Sequence, residues 1–177
     1  MFKEVDGNLI TMALNGDFDV IAHGVNCQCV QGAGLAPQMV KVFGTDSFPM
    51  EDPNTKGEIW KLGNIEYQTF HQEKEEYGNG WVRYPDENVF LSGKFIYVVN
   101  AYTQYNYGRN HSDGDSVPVD YEAITLCMRK MNKVFAGKHI GLPKIGCGLA
   151  GGDWNIVKAI IQKELKDCNV TIVNYKK

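Results

Sequence analysis

Gly146, Gly148, Gly151 and Gly152 crowd the stretch Pro143-Lys-Ile-Gly-Cys-Gly-Leu-Ala-Gly-Gly-Asp-Trp154, and Asp153 follows them at a place where it can cap a helix. Backbone N–H groups in such a loop turn outward together and cradle a phosphate, and glycine lets the anion approach closely. The loop points to a bound phosphate or diphosphate, and leaves open whether the phosphate is held or cut. A second loop of this kind, Asn26-Cys-Gln-Cys-Val-Gln-Gly-Ala-Gly34, follows the apolar run Asp19–Val25. Each loop lies between a predicted strand and a predicted helix, so both can meet at the carboxyl ends of strands, where open α/β sheets bind ligands. His23 closes the apolar run just before Gly24. An imidazole there can pass a proton to a leaving oxygen or activate water, or it can be a core histidine bonded to a neighbour.

Gly146-x-Gly148-x-x-Gly151 matches the dinucleotide-binding pattern letter for letter, but that pattern should open the first βαβ unit and here only one helix and one strand follow. Cys27, Cys29, Cys147 and His23 raise the question of zinc. A single residue between Cys27 and Cys29 is a poor bite for structural zinc, and no metal is expected. Asn100, Tyr102, Tyr105, Asn106, Tyr107 and Arg109 form an aromatic and polar set that either lines a cleft or covers the core's edge. Asp120 reads as a helix N-cap rather than an acid catalyst. His71, His111 and His139 read as solvated or strand-face residues, the Glu73–Glu76 run as a solvated face, and Met128 and Met131 as core.

The elements that position these groups alternate. Strands are predicted over Phe2–Val5, Asp19–Val25, as two pieces within Gly57–Phe70, and over Lys94–Ala101, Lys138–Leu142 and Val170–Tyr175, the last closing the sheet. Helices are predicted over Leu9–Leu14, Leu35–Phe43, Asp120–Phe135 and Asp153–Leu165, the last with Ile156, Val157, Ile160 and Ile161 on one face. Gln72–Gly93 reads as an exposed hairpin tip or insertion, and Tyr102–Pro118 as a long functional loop. This order predicts an α/β fold, a three-layer α/β/α sandwich around a mixed central sheet, as one domain over residues 1–177. Of 177 residues 44% are hydrophobic and 22% charged, which excludes a disordered or fibrous chain. A net charge of -3 argues against a protein that lives on nucleic-acid backbones. Neither a signal-peptide run nor a membrane-spanning stretch is read, and five cysteines, an odd number, suggest reduced thiols, so a cytoplasmic protein is expected.

Five ordered motifs, Val5–Ile10, Ala22–Cys27, Gln31–Ala36, Gly57–Gly63 and Leu142–Trp154, resemble the macrodomains over nearly the whole chain. The likeness extends to stand-alone macrodomain proteins of tailed bacteriophages and to the ADP-ribose 1''-phosphate phosphatase branch; a phage origin would imply the host cytoplasm. The resemblance implies ADP-ribose or ADP-ribose 1''-phosphate as the ligand, no cofactor, and His23 and Asn26 as catalytic residues, Asn26 at the distal ribose. It implies that Asn8 accepts from the adenine amino group through its carbonyl oxygen, with Leu9 beside it, and it puts Asn174 and Tyr175 near the position where an aromatic side chain, here Tyr175, stacks on adenine. It places Gln28, Gly32, Ala33, Gly34 and Leu35 in one binding loop and Gly146, Cys147, Gly148, Leu149, Ala150 and Gly151 around the diphosphate. Two departures count against one hydrolase branch: its lysine after the central strand falls near Tyr102–Gln104, and its loop aspartate falls at Ala150. Cys29 and Gln31 also depart from the usual pattern. The implied activity is phosphate-monoester hydrolysis, with a non-catalytic ADP-ribose reader and a hydrolase of ADP-ribosylated macromolecules as the alternatives.

Overall fold

The computed structural model describes residues 1–72, 81–84, 94–108 and 117–175. A sheet of seven strands runs in the order β1 (Phe2–Gly7), β7 (Asn169–Tyr175), β6 (His139–Leu142), β2 (Val20–Asn26), β5 (Phe95–Gln104), β3 (Ile65–Gln72), β4 (Trp81–Tyr84). The first five in that order are mutually parallel, β3 runs antiparallel to β5 and β4 antiparallel to β3, so the sheet is mixed.

Alternation along the strands sends side chains to opposite faces. Val20, Ala22, Val99, Ala101, Ile140 and Ile172 pack against α3 (Tyr121–Val134) and α4 (Trp154–Glu164). Ile21, Ile96, Val98 and Val173 pack on the other face against α1 (Leu9–Leu14) and α2 (Ala36–Phe43). Burial on both faces is why the central strands are continuously apolar rather than alternating. The result is the expected α/β/α sandwich, and among the described residues no helix is long and apolar enough to cross a membrane.

The helix starts follow from local chemistry. The carboxylates of Asp120 and Asp153 accept from the N–H groups of Ala123 (2.9 Å) and Asn155 (2.8 Å), each satisfying a donor that the first turn leaves open. In α2, Pro37 sits in the first turn, where its missing N–H costs no hydrogen bond.

Four expectations change. Gly57–Leu62 is not a strand: Ile59–Lys61 is a 3-10 turn between Gly57 and Gly63, whose φ angles of 78° and 76° no extended strand accommodates. β5 runs on through Gln104, because Tyr102 is fully buried and pairs with Val25 while Gln104 pairs with Asn26, so Tyr102–Gln104 leave the predicted loop. β7 does not close the sheet; β1 returns beside it and takes the edge. On α4, Val157 and Ile161 are buried but Ile156 is 44% exposed, so it lies off the apolar face. Trp81–Tyr84 pairs with β3 as a hairpin arm, while the acidic run at Glu73–Glu76, Arg109 and His111 lie outside the described residues. His71 is buried on β3, and half-buried His139 bonds Thr171 Oγ1 at 2.8 Å, so both are strand-face residues rather than solvated ones.

Candidate functional site

All five parallel strands finish on one edge of the sheet, at Gly7, Tyr175, Leu142, Asn26 and Gln104. Both glycine loops leave from this edge, and they enclose a cavity of about 650 Å3. That size lies within the range of roughly 300–1,000 Å3 typical of small-ligand sites. Gly32, Ala33, Gly34 and Leu35 form one wall, Gly146, Gly148, Leu149 and Ala150 the other, and His23 and Asn26 lie between them.

The loops leave donors unclaimed. In the Gly146–Gly152 loop Cys147 N–H donates to Lys144 O (3.0 Å), Gly151 N–H to Gly148 O (3.1 Å) and Gly152 N–H to Gly146 O (2.8 Å). The successive N–H groups of Gly148, Leu149 and Ala150 have no acceptor among the described residues, and neither do those of Gly32, Ala33 and Gly34 at the entry to α2. Lys144 is the one charged side chain among the described residues of the wall, and no carboxylate stands there. A wall of unpaired donors with no carboxylate beside them can take an anion.

Strand pairing places His23 opposite Asn100. Asn100 Nδ2 donates to Thr45 O at 2.9 Å, which turns Asn100 Oδ1 toward His23 Nε2 at 2.7 Å. The amide orientation therefore fixes the tautomer: Nε2 carries the hydrogen, and Nδ1 keeps a lone pair with no partner. Burial pushes the His23 pKa down to about 4, against the weaker opposing effect of Asn100, so near neutral pH the ring is neutral, with its hydrogen on Nε2 and a lone pair on Nδ1.

Asn26 organises its own loop. Its Oδ1 accepts from the N–H groups of Gln28 (3.1 Å) and Val30 (3.2 Å), and its Nδ2 donates to Val30 O (2.7 Å), leaving one amide hydrogen. Cys29, inside that latch, has φ 56°, the only positive φ at a non-glycine among the described residues. Gln31 is pinned through Thr45, whose hydroxyl donates to Gln31 Oε1 at 2.7 Å. Both departures from the family pattern thus have local partners.

The remaining sequence candidates sit apart from the cavity wall. Asn8 caps α1, its Oδ1 accepting from Thr11 N–H at 3.0 Å, and Leu9 is buried in the core. Tyr175 is 62% exposed and pairs in register with Gly7, which puts it next to Asn8 at the far end of the same edge. Gln28 lies against Gly57, Cys147 turns its thiol to Ile145 O at 3.4 Å, and Gly151 packs against Val117. Cys27, Cys29, Cys147 and His23 do not converge, and among the described residues no group of three metal-ligating side chains does. Sequence reasoning missed Lys144, Gln104 and Val30 as lining residues. The signal for the first two was their position just past or at a strand's carboxyl end. Gln104 and Ala150 both stand in the wall.

No protein-family model matches the chain. An uncharacterized 17.5 kDa protein from the tk-vs intergenic region of Enterobacteria phage T4 is 27% identical over 177 residues, covering 98% of this chain and 96% of its own. The macrodomain of Thermus aquaticus DarG superimposes with a TM-score of 0.63 at 20% identity, covering 100% of this chain and 99% of its own. Thermosipho africanus DarTG, solved in complex with ADP-ribose, gives a TM-score of 0.67 at 17% identity over 97% of this chain and 40% of its own. The order of strands, the two layers of helices and these superpositions agree that the chain has the macrodomain fold.

Proposed function

We propose that the chain binds ADP-ribose in the cavity between the two glycine loops and hydrolyses the phosphate monoester of ADP-ribose 1''-phosphate. The observation that carries the proposal is the pair of unclaimed N–H runs, Gly32–Gly34 and Gly148–Ala150, on opposite walls of one cavity. Two runs suit a ligand with phosphate at two places, and Lys144 adds the compensating charge. Asn8 and Tyr175, further along the edge, are where the adenine end would rest, and the remaining Asn26 amide hydrogen would donate to the distal ribose.

For turnover, water attacks phosphorus in line while His23 Nδ1 takes its proton. The bond from phosphorus to the ribose oxygen breaks, and that oxygen leaves protonated, the proton returning through His23. The N–H groups of Gly148–Ala150 stabilise the equatorial phosphoryl oxygens throughout. A second reading, an ADP-ribose binder without turnover, draws on the 2% exposure of His23, which leaves its free nitrogen little room to meet water.

Phosphate release from ADP-ribose 1''-phosphate, measured with chelator present for wild type and His23→Ala beside calorimetric binding of ADP-ribose, separates the readings. Release that falls by roughly 100-fold or more in the variant, with binding kept, supports the phosphatase and its base. Binding without release by either protein establishes the binder. Absence of binding overturns both.

A further inference from the structure

We infer that Cys29 and Lys61 form a peroxide-dependent covalent modification site, in which the thiol is oxidised and the lysine amine closes onto sulfur. Lys61 is fully buried, and the one hydrogen-bond acceptor of its Nζ among the described residues is Cys29 Sγ, at 3.1 Å. The aromatic rings of Trp60 and Tyr102 flank the same amine, each with its centre 5.9 Å away. Cys29 is half-buried, so a small hydroperoxide can reach the sulfur while bulk water does not reach the amine. The other four thiols compete poorly: burial pushes Cys27 and Cys147 up to about 11, Cys127 up to about 12 and Cys168 upward as well, away from the reactive thiolate.

The chemistry balances in two steps. The Cys29 sulfur attacks one peroxide oxygen, the O–O bond breaks, and water leaves, giving the sulfenic acid. The Lys61 amine then displaces that hydroxyl from sulfur. An S–N bond forms, the S–O bond breaks, and a second water departs with a proton from Nζ; an initial ammonium also releases one proton to solvent. The chain loses two hydrogen atoms in total, and an excess of thiol restores both residues. The linkage ties the loop that Asn26 latches to the turn at Ile59–Lys61, beside the cavity wall formed by Val30. It is independent of what the cavity binds.

The test is intact-mass and peptide mass spectrometry of the full chain after brief hydrogen peroxide treatment, followed by alkylation. The expected result is a product short of two hydrogens, a thiol-reversible peptide pair joining Cys29 to Lys61, and loss of the product in Cys29→Ser and Lys61→Met. Cys27→Ala should retain it. Mapping of the wild-type peptides decides the matter even if a variant does not fold. A disulfide between Cys27 and Cys29, oxygen atoms added at Cys29 without a linkage, oxidation at Cys147 alone, or no reaction would each overturn the inference.

Discussion

His23 sets the chemistry of the site through what surrounds it. Its folded pKa of about 4 lies below the ordinary 6.5, because burial penalises the charged ring. The unfolded chain therefore binds a proton between those values that the folded chain refuses. Stability from this group is complete above pH 6.5 and is lost as pH falls toward 4, by about 3 kcal/mol in all. Urea melts of wild type and His23→Gln across this range should show the wild type losing about that much more. Equal slopes would mean that the ring is not held neutral. The same pKa keeps the buried Nδ1 unprotonated at every pH near neutrality.

At the scale of the element, the Gly146–Gly152 loop has tightly packed and open glycines side by side. A Cβ on Gly152 would meet the carbonyl oxygen of Gly146 at 2.6 Å, within the hydrogen bond that closes the loop. Backbone cannot yield as a flexible side chain does, so Gly152→Ala should cost roughly 1–3 kcal/mol. A Cβ on Gly148 meets nothing within 4 Å and would project into open space beside the cavity. Gly148→Ala should leave stability within about 0.5 kcal/mol and weaken ADP-ribose binding roughly tenfold or more. Denaturant melts and calorimetry on both variants would test the division, and the reverse pattern would show that the loop's N–H groups do not face the ligand.

Across the whole molecule, the site belongs to the edge where five strands end, so a ligand bridging both loops touches elements from opposite ends of the chain. Binding to the folded state alone raises stability by about 2.7 kcal/mol at a concentration one hundred times Kd. For a chain of this length the midpoint should rise by roughly 5–10 °C. Scanning calorimetry with ADP-ribose against an equal concentration of adenosine would show the shift with the former alone if the diphosphate supplies the affinity. Equal shifts would move the main contacts to the adenine end.

Much of this was legible in the residues. Continuous apolar runs such as Asp19–Val25 mark strands buried on two faces, Asp120 and Asp153 mark helix starts, and the glycines mark two loops in matching positions, because each depends on neighbours along the chain. The turn at Ile59–Lys61 was not legible, since its apolar residues look like a strand until glycines at positive φ break the pairing. Nor was the state of His23, whose tautomer depends on Asn100 and Thr45, brought to it by strand pairing and by the turn after α2. The meeting of Cys29 with Lys61 belongs to the same kind. Composition and local spacing determined the layers and the loops. Tertiary structure alone decided which ring nitrogen is bare, which N–H groups stay unclaimed and which buried amine finds a sulfur, because those follow from contacts between residues far apart in sequence.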